Sequence, residues 1–162
     1  MVTNKKYTTS LAAALWLACG VALAQDDALE RAAKEPGAVK TDSGLIYRVL
    51  KDGSGKQPNA TDRVRVHYRG TFPDGREFDS SYRHGEPTEF PLNRVIKCWT
   101  EGVQRMKVGT KAKLTCPPAI AYGERGAGGV IPPNAVLQFE VELLAIVAPG
   151  IDPTKAPAGP QK

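Results

Sequence analysis

The sequence predicts an α+β chain, an antiparallel sheet packed around one short helix, and three observations carry that prediction. Apolar and polar residues alternate strictly in three separate stretches, as strands with one buried face require. Only one central stretch repeats its apolar residues at helical spacing. The 162 residues include 16 Gly and 13 Pro, which regular helix tolerates poorly, so a helical bundle is disfavoured against a turn-rich fold. With 41% hydrophobic and 24% charged residues, the composition suits one globular domain.

Residues 1–24 open with Lys5 and Lys6, run through an apolar stretch from Leu11 to Leu23, and end in Ala22-Leu23-Ala24 ahead of the polar Gln25-Asp26-Asp27. This is the layout of a secretory signal cleaved after Ala24, and it predicts a periplasmic or secreted protein. The apolar run is shorter than a membrane span needs, so no stable span is expected. A lipid anchor through Cys19 is less favoured as well, because Trp16 stands where such signals usually carry Leu. Cleavage removes two Lys and no acid, lowering the formal charge from +5 to +3, a weak bias toward anions.

Residues 25–43 read as a polar leader or linker, in which Ala28 to Lys34 can form two helical turns before Pro36-Gly37 stops them. The folded unit is expected over 44–147. Its first strand candidate is Leu45 to Leu50, closed by Gly53-Ser54-Gly55. In 63–69, Val64, Val66 and Tyr68 alternate with Arg63, Arg65, His67 and Arg69, which predicts a strand with one solvated face. Arg76 to Asp79 follows the turn Pro73-Asp74-Gly75 and is a weaker strand candidate. Val95, Trp99, Val103 and Met106 recur at steps of four, four and three, which predicts a helix over 96–105. Alternation returns in 111–116 through Ala112, Leu114 and Cys116, and in 136–143 through Leu137, Phe139, Val141 and Leu143. Residues 148–162 carry Pro149, Pro153, Pro157 and Pro160 among few bulky apolar residues, so a disordered tail is expected.

Several familiar chemistries are absent from the pattern. Gly53-Ser54-Gly55-Lys56 and Gly126-Ala127-Gly128-Gly129 complete no phosphate-binding motif leading into a helix, and turn chemistry explains them better. His67 and His84 stand 17 positions apart with no Cys or carboxylate partner at ligand spacing, so neither a metal site nor a Ser/His/Asp site is indicated. Arg63, Arg65, Arg69, Lys111 and Lys113 would form a basic stripe if their strands pair. With a secretory signal and a small net charge, a solvated sheet face is the better reading than nucleic-acid binding. Asn59-Ala60-Thr61 is a glycosylation sequon, relevant only in a eukaryotic secretory route. Cleavage of the signal would leave Cys98 and Cys116 in an oxidising compartment, either as a disulfide or as two buried thiols.

Six ordered blocks then carry a resemblance. They are Val66-His67-Tyr68-x-Gly70, Phe78-Asp79-Ser80-Ser81, Val95-Ile96-x-x-Trp99-x-x-Gly102, Ala121-Tyr122-Gly123, Ile131-Pro132-Pro133, and Phe139-x-Val141-Glu142-Leu143-Leu144. From Gly44 to Ile146 the chain resembles the FKBP-type peptidyl-prolyl cis-trans isomerases. The compact Phe90-Pro91-Leu92-Asn93-Arg94 segment and Tyr122-Gly123-Glu124-Arg125-Gly126 are similar to the bacterial macrophage-infectivity-potentiator branch.

The resemblance implies a five-stranded antiparallel half-barrel sheet wrapped on one short helix, and an enzyme that speeds rotation about X-Pro bonds without a cofactor or metal. It implies Trp99 as the pocket floor and Tyr68, Phe78, Val95, Ile96, Ile131 and Phe139 as substrate-binding walls. Asp79 and Tyr122 would be the catalytic polar members, with the Tyr122 hydroxyl and the Ile96 N–H donating to substrate carbonyls. Partners implied are proline-containing unfolded or nascent exported polypeptides, with macrolide inhibitors as candidate ligands and no nucleic acid. His84 and Ala127 stand where many relatives carry Arg and His, and Thr88 stands near a position that is aromatic in several.

That branch often dimerises through a long helical N-terminal domain. Only about 16 residues separate the expected cleavage site from Lys40, so a monomer is expected. Cys98 takes a position usually held by Gly before the helix Trp, and Cys116 replaces an apolar strand residue. A bridge between them would tie helix to strand.

Overall fold

The computed structural model describes residues 27–147, and the alternation read from the sequence sets their architecture. The strands are β1 (Ala38–Lys40), β2 (Ile46–Lys51), β3 (Arg63–Thr71), β4 (Glu77–Ser80), β5 (Thr88–Pro91), β6 (Lys111–Cys116) and β7 (Leu137–Val147). Residues 27–33 form helix α1, and two further helices are α2 (Ser81–His84) and α3 (Lys97–Gln104). The signal segment with Cys19 and the proline-rich tail lie outside the described residues. No described helix is long and apolar enough to cross a membrane.

All seven strands join one antiparallel sheet in the order β1-β2-β6-β7-β3-β4, with β5 also paired to β3. The long β3–β7 pair is the spine, running from Arg63 opposite Val147 to Thr71 opposite Gln138, with a bulge at Arg65/Val66. One end of β3 pairs with β5 through Arg63–Val66, the other with β4 through Arg69–Thr71. Thus β4 and β5 divide a single lane, interrupted by α2. Five lanes match the five-strand expectation, and β1 adds a sixth at the edge of β2. β1 and β5 have three and four residues, too short for alternation to show in the sequence.

On the inner face, Val64, Val66, Leu114, Val141 and Leu143 are fully buried and pack with α3. Of the stripe predicted from spacing, Trp99 (5% exposed) and the fully buried Val103 lie in α3, while half-buried Val95 precedes the helix and fully buried Met106 follows it. A Cβ at Gly102 would lie 2.8 Å from two Leu114 methyl carbons, so glycine permits α3 to sit this close to β6. At the same contact Cys98 and Cys116, both fully buried, form a disulfide with their Cα atoms 5.8 Å apart. Of the two states open to these cysteines, the structure has the bridge.

The stretch read as a leader packs on the domain. Ile46 and Thr115 stand opposite one another in β2 and β6, on the face away from α3, yet they are 2% and 1% exposed. Glu35, in the turn after α1, bonds Arg48 and Lys113 on that same face at 2.5 and 2.7 Å, and Ala28 and Ala32 of α1 are buried. The basic stripe is also neutralised. Arg63 and Arg65 pair with Glu89, Arg69 with Glu77, Lys111 with Glu140 and Lys113 with Glu35.

Two stability predictions follow from these contacts. Replacing both bridge cysteines by Ala is expected to cost about 3 kcal/mol, read by denaturant titration, because the bridge closes a loop of 18 positions. Equal unfolding midpoints would refute it. The hydrogen bond from Lys113, aided by Arg48 and opposed by burial, holds the Glu35 carboxyl below its ordinary range. Its contribution is therefore complete above the unfolded-state value and is lost as pH falls through the lower folded-state value. Glu35→Gln is expected to destabilise by about 1 kcal/mol at pH 7, and melts at pH 7 and pH 3 should show the gap from wild type closing in acid.

Candidate active site

Trp99 faces the sheet from the first turn of α3, and three rings meet it edge-on. Tyr68 lies 5.3 Å away between centroids at 83°, Phe139 5.4 Å at 89°, and Phe90 5.5 Å at 80°. Phe78 continues the set, 5.5 Å from Phe139 at 89°. Edge-to-face contact is the favourable geometry for aromatic quadrupoles, so these rings hold one another in fixed positions. Gly70 makes room for them. A Cβ there would fall 2.6 Å from the Phe78 ring and 3.1 Å from that of Phe139.

The rings surround an open hollow of about 480 Å³ with Trp99 at its floor. Val95 and Ile96 line it from the turn before α3, and Tyr122 from the loop after β6. As the capping residue of α3, Ile96 carries an N–H of the kind that the helix leaves without an internal partner.

The polar wall is built on Asp79. One carboxylate oxygen accepts the Tyr68 hydroxyl at 2.6 Å, and the other accepts the Ser80 N–H at 2.8 Å. Arg83 and His84 approach that second oxygen at 3.9 Å. Burial, then the hydrogen bond to Asp79, pushes the Tyr68 phenol far above its ordinary value. Burial and the nearby Asp79 charge also raise the Tyr122 phenol. Both hydroxyls are therefore protonated at neutral pH and able to donate. Tyr68 spends its proton on Asp79, whereas Tyr122, 39% exposed, has no hydrogen-bond partner among the described residues.

The structure brings Tyr68, Phe78, Asp79, Val95, Ile96, Trp99, Tyr122 and Phe139 to one hollow. Ile131, expected in the same wall, is 8% exposed and belongs to the core, but it lines a neighbouring hollow with Phe72, Val130, Pro132 and Pro133. Reciprocal backbone hydrogen bonds with Ala127 at 2.9 and 3.0 Å hold it on that side of the loop. Two lining residues were not anticipated, Phe90 and Arg94. Phe90 could have been found: it stands two residues from Thr88, on the same face of β5 and opposite Val64. Arg94 carried no such signal.

An aromatic-floored hollow between a short helix and a curled antiparallel sheet is what the six blocks had implied. Residues 54–144 match the family model of FKBP-type peptidyl-prolyl cis-trans isomerases. The chain belongs to this FKBP-type family. It is 59% identical over 120 residues to an FKBP-type peptidyl-prolyl cis-trans isomerase FkpA of Aeromonas hydrophila, a match covering 74% of this chain and 44% of that protein. It is 47% identical over 119 residues to a macrophage infectivity potentiator of Trypanosoma cruzi, covering 73% of this chain and 61% of the other. The crystal structure of FkpA from Escherichia coli superposes with a TM-score of 0.76 at 46% identity, covering 80% of this chain and 60% of that one. The chain thus spans about half the length of the curated relatives it matches.

The FKBP-type hollow depends on the absence of a side chain at Gly70. Gly70→Ala is expected to push Phe78 and Phe139 apart and to cost about 1 to 3 kcal/mol, by analogy with overpacked cores. Near-ultraviolet circular dichroism and denaturant melts should both change; an unaltered aromatic spectrum would count against ring packing as the basis of the site.

Proposed function

We propose that this protein catalyses cis-trans rotation of X-Pro bonds in exported, unfolded polypeptides, by seating proline on Trp99 in a water-poor hollow. Amide resonance sets a rotation barrier of about 18 to 20 kcal/mol, and free X-Pro bonds take tens to hundreds of seconds to isomerise. Twisting the bond breaks that resonance, leaving a less dipolar carbonyl and a more pyramidal nitrogen. Water stabilises the planar, dipolar form more than the twisted one. Moving the bond among apolar rings therefore favours the twisted state relative to the ground state, which is the condition for a rate increase.

The single observation that carries this reading is the conjunction of a ring-lined hollow with a free phenol at its edge. Tyr122 can donate to a substrate carbonyl and hold the twist. Asp79 acts through Tyr68, fixing that ring by its hydrogen bond, and its carboxylate sits beside the pocket where a pyramidal nitrogen would develop. Ile131 supports the loop that carries Tyr122 from the neighbouring hollow. No step requires a nucleophile, a metal or a cofactor.

The signal-like residues 1–24 support export and maturation near Ala24, and the disulfide suits an oxidising compartment. The folded unit extends ahead of residue 44 through α1 and β1, and it would work as a monomer with macrolides as candidate inhibitors.

The test is a proline-peptide isomerisation assay on the mature protein. Tyr122→Phe is expected to lower kcat/KM about 3- to 10-fold, the worth of one ordinary hydrogen bond. Asp79→Val, which also frees the Tyr68 hydroxyl, should lower it further. Variants that keep the full rate, or a wild type that suppresses client aggregation without speeding isomerisation, would replace the enzyme reading with one of a holding module.

A further inference from the structure

Among the described residues, two charged side chains line the Trp99 hollow, Asp79 and Arg94. They differ in what they have left to offer. Asp79 is committed to the Tyr68 hydroxyl and the Ser80 N–H, with Arg83 and His84 at 3.9 Å. Arg94 is the last residue of the short 3-10 turn Leu92–Arg94, directly before the lining residues Val95 and Ile96. It is exposed, and among the described residues it enters no hydrogen bond or ion pair. Lys97, three positions on, is likewise exposed and unpaired, so the neighbouring charge has the same sign.

Among the described residues, Arg94 and Arg125 are the arginines without a carboxylate within 4 Å, and of these two only Arg94 lines the Trp99 hollow. Arg63, Arg65, Arg69, Arg76, Arg83 and Arg105 each have a carboxylate within 4 Å. Arg94, at the mouth of the pocket, has none. A guanidinium presents a planar fork of donors that matches a carboxylate, and an unspent fork at a binding mouth selects among ligands by their charge.

We infer that Arg94 is a specificity-determining residue that makes the site prefer polypeptides carrying Asp or Glu immediately beside the proline. The inference rests on the isomerase reading and adds its substrate class. A carboxylate next to the seated proline meets the free guanidinium, and a lysine at that place meets a like charge. Arg94 acts on the flanking side chain and takes no part in twisting the bond.

Reporter peptides identical except for Glu, Ala or Lys beside proline provide the test. For the wild type, kcat/KM is expected to favour Glu over Lys about 2- to 5-fold at low salt, in keeping with a solvent-exposed ion pair. The ratio should shrink toward one in about 1 M salt, where the screening length falls to about 3 Å. Arg94→Ala should abolish the preference and Arg94→Glu should invert it. A Glu/Lys ratio of one in the wild type, or the same ratio in Arg94→Ala, would overturn the inference. Dissociation constants of the same peptides, read by tryptophan fluorescence, separate the two levels. Equal binding of Glu and Lys peptides sinks the preference, whereas selective binding without turnover supports it and sinks the isomerase reading instead.

Discussion

The close seat of α3 on β6 is the constraint from which the working parts of this molecule follow. An isolated helix of eight residues is too short to persist in water, so α3 exists because the sheet receives its apolar stripe. Gly102 allows the approach, Leu114 fills the contact, and the Cys98–Cys116 bridge fastens the same place covalently. Trp99 follows Cys98 directly, so the contact that secures the helix also fixes the pocket floor. Tyr68, Phe90 and Phe139 then meet that indole edge-on from three different strands. A hollow whose walls are pinned in this way is preformed, and a ligand would spend little binding energy on arranging it.

How far the sequence discloses this depends on the range of each interaction. Strands β3, β6 and β7 are plain from their alternation, and α3 from four residues at helical steps, because those signals lie within one element. The site residues became legible when six blocks were read together, since convergence on Trp99 is set by strand register. Ile131 shows the limit. Its motif position suggests the pocket wall, but two backbone bonds to Ala127 turn the loop so that it lines the adjoining hollow. Phe90 was hidden in a four-residue strand that shares its lane with β4. The helical turns of the leader were legible from Ala28 to Lys34, but its packing was not: it acquires meaning only once β1 pairs with β2 and Arg48 and Lys113 on neighbouring strands are seen to share Glu35.

The charge distribution makes the same point in physical terms and bears on what the protein recognises. Five basic residues on alternate positions of β3 and β6 look in the sequence like a surface for polyanions. In the fold each has a carboxylate partner, and two of those partners, Glu35 and Glu89, come from elements that alternation does not reveal. Exposed pairs of this kind contribute little stability each, but they cancel the field of the stripe. Pairing of the outer face leaves the pocket mouth as a place where a free cation can discriminate. Asp79 is held by its neighbours and serves the geometry of the wall, while Arg94 is held by none. On the proposed isomerase reading, a site that seats a neutral ring on neutral rings would distinguish one proline from another through the residues beside it, and an unpaired guanidinium there would give that distinction a sign.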